Sequence, residues 1–167
     1  MSTIDGDAAR IAAVFNRTFA TSHRTVLLLG GDEPLYLPAT PSQCAVIVSN
    51  RDYPASVLHE IAHWCLASAH RRTLVDYGYW YEPPPRDSAT QARFLAAEER
   101  NQALECVLAA AARLPFRVSL DDVAAADDLR REFEQRVATR ARTLAAGALP
   151  RRAARLHAAL AEAFADG

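Results

Sequence analysis

Apolar residues recur along this chain at two different periods, and the alternation between them outlines the fold. Over residues 5–20, Ile11, Val14, Phe15 and Phe19 return at helical spacing, which predicts an amphipathic helix. Thr25 to Leu29 is a short continuous apolar run closed by Gly30-Gly31-Asp32, the pattern of a buried strand. Leu35-Tyr36-Leu37 is a second candidate, cut short by Pro38 and Pro41, and the β-branched run from Cys44 to Ser49 is the clearest strand. A helix over about 54–70 follows at once, with Asp52 and Pro54 where a cap and a first-turn proline belong. His70-Arg71-Arg72 suits its C-terminus.

Residues 73–90 break the periodicity: Tyr77, Tyr79, Trp80 and Tyr81 crowd five positions, and Pro83-Pro84-Pro85 forbids regular structure. A helix is expected again over about 91–113, ended by Pro115, with Phe116 to Ser119 as a short extended piece. Asp127 or Asp128 then starts a helix carrying Leu129, Phe133, Val137 and Leu144, with Gly147 as its stop, and a last helix covers about 150–165. The expected class is α+β: a small, mostly antiparallel or mixed sheet packed against several helices, with the helix at 54–70 in the centre.

Half of the 167 residues are hydrophobic, enough for one well-buried domain spanning 1–167. The formal charge of −1 supplies no field for nucleic acid or a membrane surface. Three cysteines, Cys44, Cys65 and Cys106, are odd in number and lack C-x-x-C spacing, which fits a reducing compartment. The acidic first seven residues lack a secretory pattern, and no apolar run reaches the length of a membrane span. A cytoplasmic location is the expectation.

The chemistry is concentrated in His59-Glu60-Ile61-Ala62-His63. On a helix, positions i and i+4 share a face, so both imidazoles can reach one metal ion. A working site needs a third protein ligand. Glu98, Gln102 and Glu105 fall at i, i+4 and i+7 on a helix whose neighbours Leu104, Val107 and Leu108 are apolar, and carboxylates beside a packed face need partners. Glu105 is the first candidate ligand, and Glu98 either supports it or replaces it; Glu99 is expected on the solvated side. In the aromatic stretch, Asp76, Tyr77, Tyr79 and Trp80 read equally as core or as the wall of a pocket for an ammonium group, bound by aromatic faces and an acid.

H-E-x-x-H on a helix ordinarily suggests a zinc metallopeptidase with Glu60 as general base, acting on a peptide added to a sheet edge. A third class is a non-enzymatic adaptor using the arginines between Arg130 and Arg155, although a solvated helix face explains those equally well.

A wider set of blocks points elsewhere. The run Ala55-Ser56-Val57-Leu58-His59-Glu60-Ile61-Ala62-His63-Trp64-Cys65, then Arg71-Arg72, Leu74-Val75-Asp76-Tyr77-Gly78-Tyr79-Trp80-Tyr81, Arg86-Asp87, Gln91, Gln102-Ala103-Leu104-Glu105 and Pro115-Phe116-Arg117-Val118-Ser119 resembles the elongation factor P hydroxylase family over about 25–160. The resemblance implies hydroxylation of the (β-lysyl-)lysine side chain of elongation factor P, the protein substrate, by a mononuclear non-haem centre. It implies Fe(II), with zinc or another divalent metal as the alternative, and dioxygen as co-substrate. Carried onto this sequence, the ligands are His59 and His63, with the carboxylate at Glu105 because that residue stands in the matching Q-A-L-E block. Glu60 then keeps a catalytic place with three roles open: fixing a ligand histidine, relaying protons to dioxygen or pairing with a substrate ammonium. Asp76 and Glu98 are further acids for the two ammonium groups, and Tyr77, Tyr79 and Trp80 flank the stem. The segment Glu82 to Pro85 departs from the family's turn at this point.

Overall fold

In the computed structural model, which describes residues 3–50, 53–79, 86–120 and 127–165, the clearest strand of the sequence is the middle of the sheet. Strand β3 (Ala45–Asn50) buries alternate residues and lies between β1 (Thr25–Gly31), which it pairs in parallel, and β2 (Leu35–Leu37), which it pairs antiparallel. Ile47 is opposite Leu27 on one side and Tyr36 on the other, so these three buried side chains form one row across the covered face. The expected α+β class, with a small mixed sheet against helices, is the architecture observed.

Helix α1 (Thr3–Phe19) presents Ile11, Val14, Phe15 and Phe19 inward, all fully or almost fully buried. It also finishes the sheet: the Asn16 amide donates to Leu27 O at 3.0 Å, and its carbonyl accepts from Leu27 N at 2.7 Å. On the opposite edge, Tyr36 N donates to the Asp76 carboxylate at 2.8 Å. In β1, Gly30 (φ 82°) and Gly31 accompany a shift of register, and a Cβ on Gly31 would meet Val48 Cγ1 at 2.4 Å, so bulk is excluded there.

Helix α2 (Pro54–Leu66) packs against β3, α1, α3 (Ser88–Ala111) and α5 (Arg151–Ala163). It is shorter than its periodicity predicts. The backbone turns extended at Ala67, and arginines take the free carbonyls of the last turn: Arg152 donates to Trp64 O (3.1 Å), Cys65 O (2.9 Å) and Ala67 O (2.6 Å), and Arg72 donates to Ala67 O (2.8 Å). Arg71 and Arg72 therefore sit in a separate 3₁₀ turn, Arg71–Thr73, and not at the helix end. The N-cap is Tyr53, without a side-chain bond, ahead of Pro54; the expected cap Asp52 lies outside the described residues.

Helix α3 begins three residues earlier than the expected 91, at Ser88, because Asp87 caps it by accepting from Thr90 N at 2.7 Å. Residues 116–119 join no strand, and α4 (Asp127–Ala146) follows. Glu99, expected to be solvated, instead pairs with Arg140 (2.7 Å) and Arg136 (3.4 Å) of α4. All three cysteines are free thiols. Among the described residues no helix is long and apolar enough to cross a membrane.

Candidate metal centre

The histidines of α2 face α3 one turn apart, and the crossing of these helices assembles the site. His59 Nε2 and His63 Nε2 approach to 3.2 Å. Glu98 from α3 meets both, with Oε1 3.7 Å from His63 Nε2 and Oε2 3.9 Å from His59 Nε2. Among the described residues, His59, His63 and Glu98 form a group whose ligand atoms all lie within 4.8 Å of one another, so they can hold a metal ion.

Glu105 reaches the same histidine from the other side. His59 Nδ1 donates to Glu105 Oε2 at 3.0 Å, a bond that leaves Nε2 as the ring nitrogen turned towards His63 and Glu98. Both glutamates expected from sequence are thus at His59, but at different ring nitrogens. Asn101, 1% exposed and without a warning in the sequence, places Nδ2 3.3 and 3.4 Å from the two ring nitrogens of His59 and 3.4 Å from its carbonyl oxygen. A donor so nearly equidistant from both nitrogens lies over the ring and restrains it.

The electrostatics suit a cation. Burial opposes charge on His59, but the bond to Glu105 and the charges of Glu98, Glu105 and Glu60 outweigh it, raising its pKa to about 9. Burial, with the charge on His59, lowers His63 to about 3, leaving a neutral imidazole with a lone pair to give. Burial raises Glu60 to about 7; His59 opposes this, while Glu98, Asp76 and Glu105 add to it. Two imidazole nitrogens and a carboxylate gathered in a region that favours positive charge are a donor set for a divalent ion.

The aromatic stretch divides. Tyr77 belongs to the core, 4% exposed and stacked on Tyr36 at 4.2 Å and 14°, with its hydroxyl buried and lacking a hydrogen bond among the described residues. Asp76 is spent partly on the sheet edge. Tyr79 is exposed, with its ring 6.4 Å from that of His63 and the Arg71 guanidinium over it at 4.3 Å. Asp76, Tyr77 and Gly78 run consecutively through left-handed backbone (φ 47°, 57° and 68°), a strained turn held by Arg71 donating to Tyr77 O at 3.0 Å. Trp80 lies outside the described residues.

Two comparisons bear on what this centre serves. A family model described as elongation factor P hydroxylase matches residues 14–167. An elongation factor P lysine hydroxylase of Haemophilus influenzae is 41% identical over 151 residues, which cover 90% of this chain and 85% of that protein. With the match extending over nearly the whole fold and across α2 and α3, the chain belongs to the elongation factor P hydroxylase family.

Proposed function

We propose that this protein hydroxylates the (β-lysyl-)lysine side chain of elongation factor P at a mononuclear metal centre held by His59, His63 and Glu98. The observation that carries the reading is the convergence of these three residues within 4.8 Å in a member of this family. Glu105, the carboxylate first expected as ligand, serves in this reading to orient His59, because its oxygen is engaged by Nδ1 at 3.0 Å. Fe(II) is the metal and dioxygen the co-substrate; once bound, they supply the oxidising power to insert oxygen into a C–H bond of the substrate lysine.

The protein's own share is placement. Tyr79 is exposed with its ring 6.4 Å from that of His63, and we assign it, with Trp80, to flank the aliphatic stem of the substrate; Asp76 and Glu60 receive its ammonium groups. Tyr77 supports this wall from within the core. The protein acts in the cytoplasm, on a protein, without nucleic-acid or membrane partners. The zinc metallopeptidase suggested by H-E-x-x-H alone gains nothing from either comparison.

Mass spectrometry of the β-lysylated factor, incubated aerobically with Fe(II)-loaded protein and with His59→Ala, tests the reading. A gain of one oxygen on the modified lysine that disappears in the variant is expected. Cleaved peptide bonds, or binding without turnover that survives His59→Ala, would sink it.

A further inference from the structure

Gln102 follows Glu98 by one turn of α3 and is 1% exposed. Its whole amide is engaged. Oε1 accepts from Ser119 N at 3.0 Å; Nε2 donates to Ser119 O at 2.8 Å and to Glu98 Oε2 at 3.0 Å. The Ser119 pair fixes which way the amide faces. Turned over, it would set Oε1 against the Ser119 carbonyl and the Glu98 carboxylate, and would leave two N–H groups pointing at each other. One amide proton is therefore committed to Glu98 Oε2, which lies 3.9 Å from His59 Nε2, while Oε1 faces His63 Nε2 at 3.7 Å.

We infer that Gln102 is a positioning residue that limits Glu98 to a single bond to the metal, through Oε1. The inference rests on the assignment of Glu98 as third ligand. A carboxylate with both oxygens free can chelate and fill a further coordination position, whereas chemistry at a two-histidine-one-carboxylate centre depends on positions that stay open. Engaging Oε2 in the bond from Gln102 makes it the poorer donor of the two oxygens, which favours Oε1 and keeps one more position available. The hold is anchored in packing: Ser119 lies in a segment whose Phe116, Val118 and Leu120 pack on Leu95, Phe133 and Val137. The orientation of Glu98 is thus tied to the contact between α3 and α4, and a segment distant in sequence from α2 helps to set the metal's surroundings.

The test uses the full-length protein, Co(II) as probe, and the variants Gln102→Leu and Glu98→Gln. Gln102→Leu should bind Co(II) with an altered visible spectrum, weaker in intensity as coordination number rises, and with an affinity changed about tenfold. A merely structural glutamine would lower Tm and leave that spectrum alone. A Gln102→Leu spectrum that superimposes on the parent's overturns the inference. Glu98→Gln that binds Co(II) with parental affinity overturns the ligand assignment itself, whatever Gln102→Leu shows. Should Gln102→Leu fail to fold, the parent protein decides by NMR. Saturating Zn(II) should move the resonances of the Gln102 amide group, and unmoved resonances would refute the inference.

Discussion

Glu105 accepts a hydrogen bond from His59 Nδ1 at 3.0 Å, so the same imidazole is gripped on one nitrogen and offered on the other. Glu98, seven residues earlier on α3, meets the offered side. The two glutamates should therefore fail differently. Glu98→Gln is expected to bring metal content to background, whereas Glu105→Gln should weaken metal binding about 10- to 100-fold yet still load at saturating ion. Metal titration of both variants checks this. Equal loss in the two would mean that both are ligands.

In the metal-free protein, pH should act through His59. Its pKa is raised from 6.5 to about 9, so the folded state holds a proton that the unfolded polypeptide has largely released above pH 6.5. The stability this provides is complete below pH 6.5 and fades as pH rises through about 9. His63, lowered to about 3, and Glu60, raised to about 7, have both finished titrating at the upper end of that window. Chelated protein should thus melt at a lower temperature at pH 9 than at pH 7. His59→Ala should flatten the dependence; an equally steep one in the variant would place its origin elsewhere.

Much of this arrangement is legible in the sequence, and the illegible parts share a cause. The spacing of His59 and His63 is a local fact of one helix, visible wherever i and i+4 are compared. Glu98 and Glu105 lie on one stripe of α3, so only the angle at which α3 crosses α2 decides which carboxylate meets which nitrogen. Helix α2 stops at Leu66 because Arg152, from the far end of the polypeptide, takes its last carbonyls. Glu99 is paired because α4 brings Arg136 and Arg140 alongside. Periodicity records what each helix buries, and partners distant in sequence leave no mark on it.

That helix end is a measurable element. Arg152→Ala removes donors to three carbonyls and a cation resting 4.9 Å over the Trp64 ring, and should cost about 2–3 kcal/mol in denaturant unfolding. The remaining protein should still load metal, since Arg152 caps the turn beyond His63. A loss under about 0.5 kcal/mol would show that water replaces the guanidinium at little cost.

Tyr77 and Tyr79 should separate in the same way as their surroundings. Tyr77→Phe deletes a buried hydroxyl that lacks a hydrogen bond among the described residues, so stability should hold or rise by about 1 kcal/mol. Tyr79→Ala should leave stability within about 0.5 kcal/mol and raise KM for the modified factor about 2- to 5-fold, with kcat less affected. Steady-state kinetics beside thermal melts distinguish them. A Tyr77→Phe variant that is stable but unable to bind the factor would move Tyr77 from core to pocket.

Each margin of the small sheet has one residue whose outward backbone groups are taken by a side chain. Asn16 satisfies the outward-facing amide and carbonyl of Leu27 on β1, and Asp76 takes the amide of Tyr36 on β2. A loose, extended segment of another protein finds those backbone groups already engaged, so it has little to zip onto. At Leu27 and Tyr36 the sheet therefore offers no free rung for strand addition from outside.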